Sequence, residues 1–369
     1  MAHAVTHGSY ITIPALDGFR ALSVAIVLAG HSGISRLIPG GFGVTVFFFL
    51  SGFLITTLFL REIGTYGSIS IRAFYMRRFL RLSPPLLVTL VVAYSLVAAG
   101  IIGGVINPMT IFSQLAYFYN YYALTPGAVP EGAVLPEGAV GLRVLWSLSV
   151  EEHFYLLYPM LFLLIMKGRV TMWHLGGLLA FFLAWRLFNW YVLGWGDHIY
   201  TRSDTRFDSI LWGCLIALWQ GKGIANRIMP LNGKVMWAWL ALAATVTLLG
   251  FLYRNEAFRE TWRYTLQGMA LVPVFHYAIT CSRHPAFRWL NWAPLAKIGV
   301  LSYSIYLIHY VILRGFAFNG IELHPVGNFV IGGGLSVLYA LAISRFVEAP
   351  IRNLRHRFTG HRLQPTAAE

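Results

Sequence analysis

The chain has 369 residues, of which 57% are hydrophobic and 11% charged, with a mean hydropathy of +0.64. So few charges cannot coat the surface of a water-soluble domain, and the composition is that of a polytopic membrane protein. The net charge of +14 does not point to nucleic acid, because the basic residues follow the loops between apolar runs.

Apolar runs recur near residues 14–32, 43–61, 82–102, 145–166, 174–194, 206–220, 235–253, 263–281, 298–316 and 327–347. Each has about the 20 residues that a helix needs to cross hydrocarbon, so an all-α fold of about ten transmembrane helices is expected. With the N-terminus inside, the cytoplasmic loops hold about 18 of the 28 basic residues and the outer loops about 8, which matches the positive-inside bias. Both termini are then cytoplasmic. No polar stretch approaches the roughly 100 residues of an ordinary soluble domain. Residues 1–350 therefore read as one transmembrane domain and 351–369 as a basic cytoplasmic tail that frays toward its end. Met1 to Pro14 lacks the basic start of a signal peptide, and Asp17 and Arg20 interrupt the apolar core that follows, so the first run reads as a retained helix. Cys214 and Cys281 lie in apolar runs without metal-ligand spacing and read as packing residues, with no metal expected.

In the first run, Arg20 and His31 are eleven positions apart, which on a helix brings them to nearly one face with about 16 Å of rise between them. Charges at membrane depth are costly and usually line a substrate or ion path. Pairing of Arg20 with Asp17 one turn earlier is the plainer reading. The inside loop 61–81 interleaves Arg72, Arg77, Arg78 and Arg81 with Ile69, Ile71, Phe74, Tyr75, Phe79 and Leu80, which predicts a short amphipathic helix lying in the interface. Arginine forks suit phosphate oxygens, and Arg77, Arg78 and Arg81 are candidates to hold a phosphorylated donor, with anionic lipid headgroups as the competing partner. In the long outer loop 103–144, Ile111 to Tyr122 is aromatic and apolar and predicts a half-inserted helix, while Thr125 to Gly141 reads as irregular.

The fourth run opens Trp146-Ser147-Leu148-Ser149-Val150-Glu151-Glu152-His153. Ser147, Glu151, Tyr155 and Tyr158 share one helical face and Glu152 points about 100° away. Matching depths makes a His31–Glu151 contact conceivable, with the carboxylate fixing the imidazole tautomer that a general base needs. Pairing of the glutamates with Arg143 or Arg202 is the alternative. Arg206 and Asp208, at the outer end of the sixth run, could meet an acceptor or pair with each other. Tyr303, Tyr306 and His309 at helical spacing read mainly as packing residues, with His309 and Tyr306 as further substrate contacts. Trp146 reads as an interfacial anchor or a sugar platform, and Glu348 as a tether for the basic cluster.

These residues resemble the acyltransferase type three family of integral membrane O-acyltransferases. The resemblance rests on Arg20 and His31 in an Arg-x10-His arrangement, Gly43 to Ile55, Arg77 to Pro84, Trp146 to Tyr155, Arg206 to Asp208, Leu301 to His309, and Val347 to Pro350, all in the family's order. It implies a ten-helix enzyme that moves an acyl group, commonly acetyl, from coenzyme A to a hydroxyl of a carbohydrate or glycosylated acceptor. Thr45, His153 and Ala349 stand where the family often has Asp, Gln and Arg. Relatives with a fused esterase-like domain are common; none follows here, so a standalone membrane domain is expected. On this reading His31 is the general base or a transient acyl carrier, and Glu151 orients it. Arg20 meets negative charge on the donor or the oxyanion, while Ser147, Trp146, Glu152, Arg206 and Asp208 are candidate acceptor contacts. Acyl-CoA, specifically acetyl-CoA, is the expected donor, and membrane lipids and other envelope biosynthesis proteins are expected partners, in a bacterial inner membrane. The rival reading is a transporter or flippase that uses Arg20, His31 and Glu151 as a proton or anion relay. The absence of internal repeats stands against it.

Overall fold

The computed structural model describes residues 6–7, 10–11, 13–34, 39–125 and 142–356. A two-residue strand pair, β1 (Thr6–His7) and β2 (Tyr10–Ile11), precedes an otherwise helical chain. The helices are α1 (Leu16–His31), α2 (Gly40–Tyr66), α3 (Ile71–Ala98), α4 (Pro108–Leu115), α5 (Tyr119–Tyr122), α6 (Leu145–Met166) and α7 (Met172–Tyr191). There follow α8 (Ser203–Gly221), α9 (Ile224–Ile228), α10 (Gly233–Leu252), α11 (Glu256–Glu260), α12 (Trp262–Thr280), α13 (Pro285–Arg288) and α14 (Ala293–Phe318). A closing helical segment, Pro325–Arg352, contains π-helical stretches at Asn328–Gly332 and Ser344–Glu348.

Every apolar run named above coincides with a helix. Among the described residues, six helices are long and apolar enough to cross a membrane: α2, α3, α6, α10, α14 and Pro325–Arg352. The chain is a multi-pass membrane protein. The other long helices fall short for visible reasons: α1 has 16 residues, and α8 carries Asp204, Arg206 and Asp208.

Two expectations are corrected. The arginine-rich segment is not a separate interfacial helix. Gly67 ends α2 in the left-handed conformation at φ 73, Ser70 caps the next helix by accepting from the Ala73 N–H, and Ile71–Ala98 then runs unbroken through Pro84 and Pro85. The aromatic outer segment is two short helices rather than one, because the chain turns between α4 and α5, where Tyr117 takes a φ of 58. The irregular stretch expected up to Gly141 lies outside the described residues beyond Thr125, as does the tail from 357 onward.

Two close approaches fix the bundle around its centre. A Cβ on Gly213 of α8 would stand 1.9 Å from the Phe49 carbonyl oxygen of α2, and one on Gly299 of α14 would stand 1.9 Å from the Asp17 carbonyl oxygen of α1. Only glycine permits such backbone contact, the usual device for helix association in lipid. Elsewhere α7, α8 and α12 are locked by an ion pair: Arg186 and Asp208 meet at 2.7 Å with both side chains 0% exposed. Arg186 also donates to the carbonyls of Thr205 and Thr261 and to the Thr265 hydroxyl.

Asp208→Ala leaves the Arg186 guanidinium buried without its counter-charge, a loss of about 3–5 kcal/mol, whereas Asp17→Ala removes a half-exposed pair worth about 0–1 kcal/mol. Thermal melting of the detergent-solubilised protein checks this: Asp208→Ala is expected to lower the midpoint markedly and Asp17→Ala to leave it nearly unchanged.

Candidate active site

Apart from the Arg186–Asp208 lock, two ionisable clusters lie among α1, α2, α3, α6 and α14. The central one surrounds a cavity of about 110 Å³ whose walls include Arg20, Arg78, Arg81, Glu151, Ser147 and Tyr306. Arg20 sits one turn into α1, where Asp17 pairs with it at 3.1 Å. The pair does not withdraw it from the cavity wall. Arg78 reaches across from α3 to α6. Its Nε donates to Glu152 at 3.3 Å and its Nη2 lies 3.7 Å from Glu151, while its guanidinium lies flat on the Tyr155 ring, 3.1 Å from the centroid. One arginine thereby serves two adjacent carboxylates that leave the helix about 100° apart, which is how two glutamates are tolerated at this depth. The Ser51 hydroxyl of α2 donates to Glu151 at 2.9 Å.

Glu151 does not orient His31. Serine and arginine hold it on the cavity wall, and the His31 ring is turned to α14 instead. His31 Nδ1 lies 2.8 Å from Nε2 of His309, and His309 Nδ1 lies 2.7 Å from the Tyr306 carbonyl oxygen. The Tyr310 ring tilts against His31 with centroids 4.5 Å apart. His31 is exposed at the end of α1, whereas His309 is 0% exposed. Arg20 thus lines the cavity and His31 does not. The histidine pair stands one turn of α14 beyond Tyr306, whose ring forms the cavity wall and whose carbonyl anchors His309.

The remaining candidates separate sharply. Ser147 and Tyr306 face each other at 2.7 Å, and both donate to the Val144 carbonyl, which ties the start of α6 to α14 at the cavity. Of the three arginines read as a phosphate fork, Arg78 and Arg81 line the cavity, but Arg77 pairs with Glu62 at 3.3 Å and does not line it. Arg206 and Asp208 do not pair with each other, since residues two apart on a helix point to opposite sides. Asp208 belongs to Arg186. Arg206 is 0% exposed, donates to the Tyr200 carbonyl and the Thr45 hydroxyl, and lies 3.9 Å over the Tyr264 ring. Neither residue reaches the cavity. Trp146 is no interfacial anchor: it is buried against Phe48 and Tyr200, with centroids 6.0 and 4.8 Å away. Arg202 pairs with Asp204 at 2.8 Å rather than with the glutamates. Glu348 accepts from Ser304 at 3.2 Å, so its tether is to α14.

Sequence reasoning gave His309 only a secondary place. The available signal was its depth: two turns beyond Ser302 on α14, it comes level with the end of α1, and a buried histidine in an apolar helix needs a polar partner.

A pair of imidazoles thus stands one turn of α14 from a cavity walled by guanidinium groups and a carboxylate. A profile of the acyltransferase type three family, described as an acyltransferase domain, matches residues 13–345. Across 98% of its length the chain is 30% identical to YrhL of Bacillus subtilis, provisionally named a peptidoglycan O-acetyltransferase, covering 58% of that protein. Across 92% of its length it is 29% identical to the peptidoglycan O-acetyltransferase OatA of Listeria monocytogenes, covering 56% of it. A Staphylococcus aureus protein provisionally named an O-acetyltransferase is 28% identical over 92% of the chain and 57% of its own length. The chain therefore spans a little more than half the length of these relatives. No solved structure matches it. A family match over residues 13–345 means that the chain belongs to the acyltransferase type three family of membrane proteins.

Proposed function

We propose that the protein is a membrane O-acetyltransferase that takes an acetyl group from acetyl-CoA supplied from the cytoplasm and delivers it to a carbohydrate hydroxyl at the outer face of the inner membrane. The observation that carries this is the cavity itself, with guanidinium groups at Arg20 and Arg81 on its walls and the His31–His309 pair one turn beyond Tyr306. A volume of about 110 Å³ is below the roughly 300–1,000 Å³ of pockets that engulf whole ligands. It suits the narrow acyl-bearing arm of the donor, with the phosphates left at the arginines. Arg78 holds that wall in place through Glu151 and Glu152, and Arg81, on the cavity wall, is the principal phosphate contact. Both termini and the basic tail 351–369 are cytoplasmic on this reading, residues 1–350 form one transmembrane domain, and α4 and α5 re-enter from the outer side.

In the reaction, the acceptor hydroxyl oxygen attacks the thioester carbonyl while His31 takes its proton. The carbon–sulfur bond breaks, and the thiolate of coenzyme A leaves and is protonated. The thioester is already activated, so the protein's share is proximity, proton removal and charge stabilisation. A cell-wall sugar is the favoured acceptor because OatA is named a peptidoglycan O-acetyltransferase and YrhL provisionally so, and a muramyl disaccharide is the natural probe.

Proteoliposomes supplied with labelled acetyl-CoA on one side and a muramyl disaccharide on the other are expected to release free thiol and label the sugar in equal amounts. Labelled product without thiol release, or no transfer at all, overturns the enzyme reading and favours a transporter. His31→Ala is expected to lower the rate by about 10²–10⁴-fold, the usual worth of general-base assistance, with the protein still folded by size-exclusion chromatography. Arg81→Ala is expected to raise KM for acetyl-CoA by about 10–100-fold, the equivalent of about 1.5–3 kcal/mol for hydrogen bonds to a charged group. Arg77→Ala, paired with Glu62 instead, should leave that KM unchanged, which separates donor binding from attraction to anionic lipid.

A further inference from the structure

The geometry points to His309 as the positioning residue that sets the tautomer of His31. The inference deepens the acyl-transfer reading and rests on it for its catalytic meaning. His309 Nδ1 lies 2.7 Å from the Tyr306 carbonyl oxygen. A carbonyl only accepts, so Nδ1 carries the hydrogen. A second proton on Nε2 would make His309 a cation with 0% exposure, which is costly without a counter-charge, and among the described residues no acidic group is paired with it. Its Nε2 is then the bare, accepting nitrogen. That nitrogen faces His31 Nδ1 at 2.8 Å, so His31 Nδ1 is the protonated one and donates.

The ring geometry agrees. The two imidazoles are within 19° of coplanar and their centroids are 5.1 Å apart, about as far as a nitrogen contact of that length permits. The rings therefore meet edge to edge, with the in-plane lone pair of one along the N–H of the other. Each neutral imidazole carries one hydrogen, so the chain of two bonds ending on a backbone carbonyl assigns the lone pair of His31 to Nε2. When Nε2 takes the acceptor's proton, His31 becomes doubly protonated, its Nδ1–H keeps donating to His309, and no proton has to move along the chain. The Tyr306 carbonyl that fixes His309 belongs to a residue on the cavity wall, so filling the cavity and orienting the base depend on the same turn of α14.

The primary test needs no substrate: nitrogen NMR of the detergent-solubilised protein with isotope-labelled histidine side chains. The signal lost in His31→Ala is expected to show a protonated Nδ1 and a bare Nε2, with a coupling across the hydrogen bond to His309 Nε2. A His31 protonated at Nε2 overturns the proposal. Kinetics with acetyl-CoA and the muramyl disaccharide give the second test. His309→Met fills the space with at most a weak acceptor, and is expected to lose about 10–100-fold in kcat, the loss seen when the partners that orient metal-bound histidines are removed, with KM for acetyl-CoA unchanged. His309→Gln, whose amide oxygen can accept from His31, is expected to recover most of the loss. Wild-type kcat in His309→Met, or equal impairment of the two variants, sinks the role. If the unmodified protein transfers no acetyl group, the acyl-transfer reading fails by itself, and the tautomer measurement still stands or falls independently.

Discussion

The backbone contact of α1 with α14 is the constraint on which the site depends. Gly299 allows α14 to lie against the Asp17 carbonyl, and from that point the two helices run side by side. Arg20 then leaves α1 toward the cavity near one end, and His31 meets His309 near the other. A side chain at Gly299 would have to push α1 away by the width of a methyl group. The 2.8 Å nitrogen contact can lengthen by only about 0.4 Å within hydrogen-bonding distance, so it would not survive such a shift.

The second organising fact is how the bundle disposes of its charges. An apolar interior tolerates an ionised group only with a partner or a polar cavity, and the three clusters solve this differently. Arg186 is fully satisfied by Asp208, two carbonyls and a hydroxyl, which makes it a lock and leaves it nothing to offer a ligand. Arg78 divides itself between Glu151 and Glu152 and is at once structural and cavity-lining. The histidine pair avoids charge altogether by using one N–H each. Arg78 lines the cavity and His31 is exposed at the end of α1, whereas Arg186 reaches neither cavity nor surface.

Much of this was legible in the sequence because it depends on one dimension. Ten apolar runs coincide with helices because hydrophobic length is a local property, and the Arg20–Asp17 contact follows from spacing along one helix. The pairing of His31 was not legible. Depth along the membrane normal can be read from position in a run, and it placed His31 near the level of Glu151. The facing of each helix around its own axis depends on neighbours that the sequence does not name. Glu151 turned to Ser51 and Arg78, and the partner of His31 came from α14, 278 positions away. The Arg206–Asp208 pairing expected from the sequence fails because residues at i and i+2 of a helix diverge, and Asp208 meets Arg186 instead. The interfacial helix expected at 61–81 failed for another reason. Its amphipathic pattern is real, but the Ser70 cap and the helical continuity through Pro84 and Pro85 make it the first turns of a longer helix.

The departure at Thr45 shows how a motif can lose its charge and keep its architecture. The family often places Asp there, which would neutralise a nearby cation. Here the Thr45 hydroxyl accepts from Arg206 at 3.1 Å and donates to the Gly41 carbonyl at 3.2 Å, a double role that an ionised carboxylate cannot play because it has no hydrogen to give. The missing counter-charge is replaced by aromatic faces: the guanidinium lies 3.9 Å over Tyr264 and within 6 Å of Phe48, Trp146 and Tyr200. A desolvated cation–π contact is worth about 2 kcal/mol, enough to offset part of the cost of burial without fixing the arginine as rigidly as a bidentate carboxylate would. The corner of α2, α8 and α12 is therefore held by packing and a shared hydroxyl. Trp146, which belongs to the motif carrying Glu151, is drawn inward to complete that aromatic cage, and this is why it is buried in the bundle instead of lying at the membrane surface.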